Sequence, residues 1–141
     1  MRYRTAVMIE APAERVWRVL SDVAEWPDWT PTVSEVRAEA GGLSVGGVVT
    51  VKQPGRRAVD YTVQELVDGQ RFQWGREVGG VRQCADHIVT AISAGRCSLT
   101  LEFSMEGALG SALGLIGSGK IRRMVNIEAA SLKARVEGVR N

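Results

Sequence analysis

His87, Tyr61 and Arg76 are the residues of this chain whose types suit carbonyl chemistry. His87 is the only histidine; turned into an apolar cavity, its imidazole would move a proton to or from a carbonyl-bearing ligand. Tyr61 would offer its phenol to a ligand oxygen, and Arg76 would stabilise an enolate or a carboxylate. Each also has a plainer reading. A general base needs an orienting partner, and no sequence-local acid supplies one on the same face of the His87 strand. His87 is then a partly buried structural histidine satisfied by a hydroxyl or carbonyl, or a surface residue. Tyr61 is then a core ring with its hydroxyl at the rim, and Arg76 a side chain near the Gly79-Gly80 turn, where solvent is close.

Other chemistries find less support. One histidine and two widely spaced cysteines, Cys84 and Cys97, make no ordinary zinc set, so neither metal nor cofactor is expected. No G-x-S-x-G elbow marks a nucleophilic serine. Gly114 to Lys120 has the spacing of a phosphate loop, but Ile121 stands where a Ser or Thr must hold magnesium. Gly110 and Gly114 match a membrane-helix contact motif, yet Lys120, Arg122 and Arg123 follow too soon for a span. The formal charge of +2 on 141 residues is too balanced to predict nucleic-acid binding, and the Lys120, Arg122, Arg123 cluster reads as a solvated helix face. The sparse cysteines fit reduced thiols better than a disulfide, and the N-terminus carries no apolar signal region, so a cytoplasmic location is expected.

These residues need elements to position them. A chain of this length fits one domain, 1–141, with a core that needs no staples. Residues 2–10 read as a strand and about 12–21 as a helix, with Pro12 in its first turn and Val16, Trp17 and Leu20 on its apolar side. Six further strands are expected at 32–39, 46–53, 57–66, 70–77, 81–92 and 96–105, joined by short glycine-bearing turns as an antiparallel meander. From about 107 to 138 the pattern is helical, with Ile121, Val125, Ala129, Leu132 and Val136 on one stripe. Five glycines between 107 and 119 weaken its first turns by about 1 kcal/mol each relative to alanine, which suits either a mobile lid or close packing on the sheet.

Period-two patterning assigns the faces. Cys97, Leu99, Leu101, Phe103 and Met105 share the inward side of their strand, and in 81–92 the inward side is that of His87, which leaves Ile88 and Ile92 unexplained. Val59, Tyr61 and Val63 look inward with Phe72, Trp74 and Arg76. Trp26, Pro27 and Trp29 form a hinge in which Trp29 is the stronger ligand candidate, because it enters the next strand, while Trp17 belongs to the core.

Taken in order, Ala11-Pro12, Val16-Trp17, Leu20-Ser21-Asp22 and Trp26-Pro27-Asp28-Trp29, the hairpin from His87 to Phe103 and the long final helix resemble the polyketide cyclase/dehydrase-like proteins of the START and birch-pollen-allergen-related (SRPBCC) superfamily. The resemblance implies an α+β helix-grip fold: a seven-stranded curved antiparallel sheet wrapped around a long C-terminal helix, with two short helices after the first strand. It also implies a cavity between sheet and helix for a hydrophobic small molecule that is aromatic, polyketide or lipid-like. Trp29, Trp26, Trp74, Leu101, Phe103 and Met124 are its expected walls. Two alternatives stand beside binding. A polyketide cyclase or dehydratase would use His87 as general acid/base with Tyr61 and Arg76. A chaperone- or partner-binding module would show an apolar patch at Ile88 and Ile92 and a filled cavity. The expected partner is the small molecule, without nucleic acid or a membrane span; a homodimer stays open.

Overall fold

The computed structural model of the chain describes residues 1–39 and 41–138. Strand β1 (Arg2–Ile9) leads into helix α1 (Ala13–Ser21) and a 3-10 helix (Val23–Asp28). Six strands follow: β2 (Glu35–Ala38), β3 (Val48–Lys52), β4 (Val59–Val67), β5 (Arg71–Val78), β6 (Val81–Ser93) and β7 (Arg96–Glu106). Helix α2 (Gly110–Glu137) closes the chain. All seven strands join one antiparallel sheet in the order β1-β7-β6-β5-β4-β3-β2. This is the helix-grip arrangement expected. Strand β2 is shorter than the 32–39 expected, since its pairing with β3 runs only from Glu35 to Ala38.

Pro12 stands just before α1 rather than in its first turn, and its carbonyl accepts from the Arg15 and Val16 amides. A proline costs nothing there, since an amide at a helix start has no intrahelical partner. Val16, Trp17 and Leu20 are buried as their spacing requires. The Trp26 indole donates to the Leu20 carbonyl at 2.9 Å, which satisfies a carbonyl left over at the end of α1 and locks the hinge against it.

The core lies between the sheet's concave face and α2. Ile9, Cys97 and Leu99 are fully buried under Ala129, Leu132 and Val136 of the helix. Burial of such side chains stabilises the fold by about 1.5–3 kcal/mol each. Polar ties fasten α2 along β1: the Tyr3 hydroxyl donates to Asn126 Oδ1 at 2.8 Å, Lys133 to the Met8 carbonyl at 2.6 Å, and the Glu10 amide to Glu137 at 2.6 Å. In β4 the pairing shifts between Val63 and Glu65, so the inward phase passes from Tyr61 and Val63 to Leu66, a bulge the alternation did not announce.

The glycine-rich segment forms regular helix from Gly110 onward; the side chains at 111 and 114–116 lie outside the described residues. Gly107 turns the chain into α2 at φ +98, where a Cβ would lie 2.7 Å from the Gly80 carbonyl oxygen. That oxygen also accepts from the Leu109 amide, so the β5–β6 turn holds the start of the helix. Cys84 and Cys97 are both free. They stand at opposite ends of the β6–β7 ladder, opposite Ser104 and Ala91 respectively, and no disulfide can join them. Among the described residues, no helix is long and apolar enough to cross a membrane, and no cluster of His, Cys, Asp or Glu is arranged to hold a metal ion.

Candidate functional site

A cavity of about 550 Å³ opens between the first half of α2 and strands β3 to β7. This is the size range of small-molecule sites, and most of its walls are apolar as such sites require. Alternation supplies those walls. Val51, Val59, Tyr61, Trp74, Leu101 and Phe103 project from the concave face, and Trp26 enters from the hinge. From α2 come Leu113, Gly117, Ile121, Met124, Val125 and Glu128, spaced by three and four along one face. The helix stripe therefore divides: its C-terminal half is core, its N-terminal half is cavity wall.

His87 lies on the cavity side and is buried, 3% exposed. Its ring stacks on Phe72 at 4.1 Å between centroids, and the edges of Trp74 and Trp26 pack against it at 5.1 and 5.5 Å. Nδ1 lies 3.2 Å from the Phe72 carbonyl. A carbonyl only accepts, so Nδ1 carries the proton and Nε2 the lone pair. Burial lowers the pKa from 6.5 to about 4, and the Phe72 carbonyl and Asp86 only partly oppose this. His87 is therefore a neutral imidazole at physiological pH.

Tyr61 stacks on Trp74 at 5.6 Å and donates its hydroxyl to Gln83 at 3.3 Å. Burial raises its pKa, the positive charge of Arg76 counteracts this, and the Glu128 carboxylate adds to it. These three polar groups thus sit within electrostatic reach of one another. Arg76 lines the cavity from β5, and its buried Nε has no hydrogen-bond partner. The structure brings His87, Tyr61 and Arg76 to one cavity, as the spacing on β4, β5 and β6 suggested.

Glu128 is the site residue that sequence reasoning missed. Its Oε2 accepts the Thr32 hydroxyl at 3.0 Å, and Thr32 Oγ1 lies 2.9 Å from Thr30 Oγ1. With the Thr32 proton given to Glu128, Thr30 is the donor to Thr32. Burial raises the Glu128 pKa from 4.5 to about 7, against the lowering effect of the Thr32 hydrogen bond. With Oε2 occupied by Thr32, the acid proton belongs on Oε1. The available signal was a lone carboxylate beside the apolar stripe, three residues after Val125.

Of the two hinge tryptophans expected as cavity walls, the structure places one there, and it is not Trp29, the stronger candidate. Trp26 lines the cavity, whereas Trp29 packs behind it at 5.4 Å between rings. Trp29 borders a separate surface depression with Ser131 and Arg135. The reason is the 3-10 turn, which points Trp26 inward beneath the sheet and leaves Trp29 at its C-cap. Trp74, Leu101, Phe103 and Met124 all line the cavity as expected, with the Met124 sulfur 3.9 Å from Gln53 Nε2. Lys120 also departs from expectation, because it borders the cavity mouth rather than belonging only to a solvated face. Ile92 is exposed and Ile88 half-buried on the convex side.

The fold is shared with solved structures of low identity. A hypothetical protein from Helicobacter pylori superposes with a TM-score of 0.81 at 15% identity, over 97% of this chain and 88% of that one. A START superfamily protein from Mycobacterium smegmatis gives 0.72 at 16% identity, over 98% of each chain. The Zhui aromatase/cyclase from Streptomyces gives 0.65 at 18% identity, over 100% of this chain and 98% of that one. No curated protein sequence matches the chain significantly. The model of the family described as polyketide cyclase / dehydrase and lipid transport matches residues 1–137. With the helix-grip fold and its cavity, that match places the chain in the polyketide cyclase / dehydrase and lipid transport family.

Proposed function

We propose that residues 1–141 form one domain that binds a hydrophobic small molecule, aromatic, polyketide or lipid-like, between the sheet and α2. The observation that carries this reading is the open, aromatic-walled cavity of about 550 Å³. Burying a ligand's apolar surface against Trp26, Trp74 and Phe103 supplies about 25 cal/mol per Å², and the few polar groups orient it. Native mass spectrometry of the gently purified protein, followed by denaturing extraction, tests it. A stoichiometric apolar molecule is the expected result. A protein that emerges empty and leaves tryptophan fluorescence unchanged with every apolar ligand tried would overturn the reading.

Cyclisation or dehydration of a bound polyketone is the second reading, favoured by the grouping of Tyr61, Arg76 and Glu128 around the same space. In it Arg76 would stabilise an enolate, and His87 would act as acid/base. Burial of His87 weighs against the acid half of that role, because an imidazole with a pKa of about 4 carries no proton on Nε2 at neutral pH and its Nδ1 proton is held by the Phe72 carbonyl. Turnover of a poly-β-carbonyl mimic that His87→Ala abolishes would support this reading. The partner-module alternative required a filled cavity, and the hollow speaks against it.

A further inference from the structure

We infer that the cavity selects amphiphiles with an anionic oxygen headgroup, held at the mouth by Arg76 with Arg56, Arg57 and Lys120 while the tail lies inward. The inference rests on the binding reading and names the class of ligand.

Among the described residues, four cationic side chains border this cavity. Arg56 and Arg57 are exposed on the β3–β4 turn, Lys120 is exposed on α2, and Arg76 reaches in from β5. None of the four forms an ion pair with a described residue. The acidic residues nearby do not neutralise them. Asp86 directs its carboxylate to Arg71 at 2.8 Å, and Glu102 to Arg2 at 3.1 Å, both on the convex side of the sheet. Glu128 gives Oε2 to Thr32 and is half in its neutral acid form near pH 7. The cavity therefore carries uncompensated positive charge.

Arg76 makes the argument specific. Its buried Nε–H has no acceptor, and a buried charged donor left unmatched is costly. A carboxylate or phosphate oxygen entering the mouth would accept that hydrogen and could engage the guanidinium through two oxygens. Below this level the surfaces turn apolar, through Trp74, Leu101 and Phe103. A neutral hydrophobe would fill the apolar part and leave the Arg76 donor unmatched.

The test compares dodecanoate, dodecyl phosphate and 1-dodecanol, which share one tail, by isothermal titration and tryptophan fluorescence. The expected result is that at least one anionic amphiphile binds about tenfold or more tightly than the alcohol, the gain of a charge-assisted hydrogen bond. The ratio between dodecanoate and dodecyl phosphate tells which head fits. Arg76→Gln should remove the preference, weakening the anions about tenfold more than the alcohol. The double variant Arg56→Gln/Arg57→Gln, altered only at exposed turn positions, should weaken the anions severalfold and flatten their salt dependence. Equal binding of acid, phosphate and alcohol would overturn the inference and leave the binding reading intact. Equal losses for alcohol and anion in Arg76→Gln would also overturn it. Absence of binding by all three would sink both.

Discussion

The Thr32 hydroxyl donates to Glu128 Oε2 at 3.0 Å, and so joins the exit of the hinge to α2 beside the cavity. This bond fixes a carboxyl group in surroundings that resist its ionisation. Buried Glu128 and buried His87 give the protein a stability that depends on pH through two opposed groups.

Glu128 binds its proton more tightly in the folded chain, at about 7 against the ordinary 4.5, so stability should fall as pH rises from about 4.5 to 7. His87 behaves oppositely. Its folded pKa of about 4 lies below the ordinary 6.5, so its contribution is full above about 6.5 and is lost as pH falls toward 4. Over pH 4.5–6.5 the two trends largely cancel. Glu128→Gln keeps an acceptor for Thr32 and removes one of them. Urea unfolding should show this variant more stable than the parent at pH 8, by about 3 kcal/mol at most. Its stability should also climb from pH 4.5 to 6.5, where the parent's profile stays flat.

Ligand affinity should respond to the two hinge tryptophans unequally. Trp29→Phe alters a ring outside the cavity wall and should leave the affinity of any cavity ligand within about twofold, a change below 0.5 kcal/mol. Trp26→Phe removes cavity wall and also the donor to the Leu20 carbonyl. It should weaken binding and cost about 1–3 kcal/mol of stability. Fluorescence titration of both variants checks the contrast, and equal losses would contradict the placement of Trp26.

Gly117 is a third probe, because among the described residues a Cβ there would meet only Ile121 Cδ1, at 3.8 Å. Gly117→Ala should raise stability by about 1 kcal/mol through helix propensity alone. Gly117→Leu should keep the fold and fill part of the cavity, with affinity for a twelve-carbon amphiphile reduced about tenfold or more. Thermal unfolding and titration of the pair separate the two effects.

Leu132→Ala addresses the other half of α2. Leu132 is 1% exposed within the core, and its truncation should cost about 2–5 kcal/mol in denaturant unfolding. A loss under 1 kcal/mol would mean that the helix does not rest on the sheet as described.

Much of this arrangement was legible before the structure. The alternation from Cys97 to Met105 and the stripe from Ile121 to Val136 are periodic over long runs, and period is what backbone geometry imposes directly on sequence. The inward face of β6, and with it His87, followed from leaving Arg82 and Asp86 to the outside. What could not be read was set by contacts distant in the chain. Glu128 owes its character to burial and to Thr32, 96 positions away. Trp26 and Trp29 flank one proline, the sequence favours Trp29 as the ligand contact, and the 3-10 turn points Trp26 inward instead. The bulge after Val63 belongs to the same class, since one extra residue reverses a strand's phase without a glycine to mark it.

Helix α2 is fastened along β1 through Tyr3, Met8 and Glu10, and its C-terminal half is core while its N-terminal half faces the hollow. Recognition and foldability are thereby written on separate stretches of one helix. Variation at Leu113, Gly117, Ile121 or Met124 changes what the protein accepts without touching Ala129, Leu132 and Val136, on which it folds. On this plan the wall of the hollow can be recut by substitution with little risk to the packing that holds the chain folded.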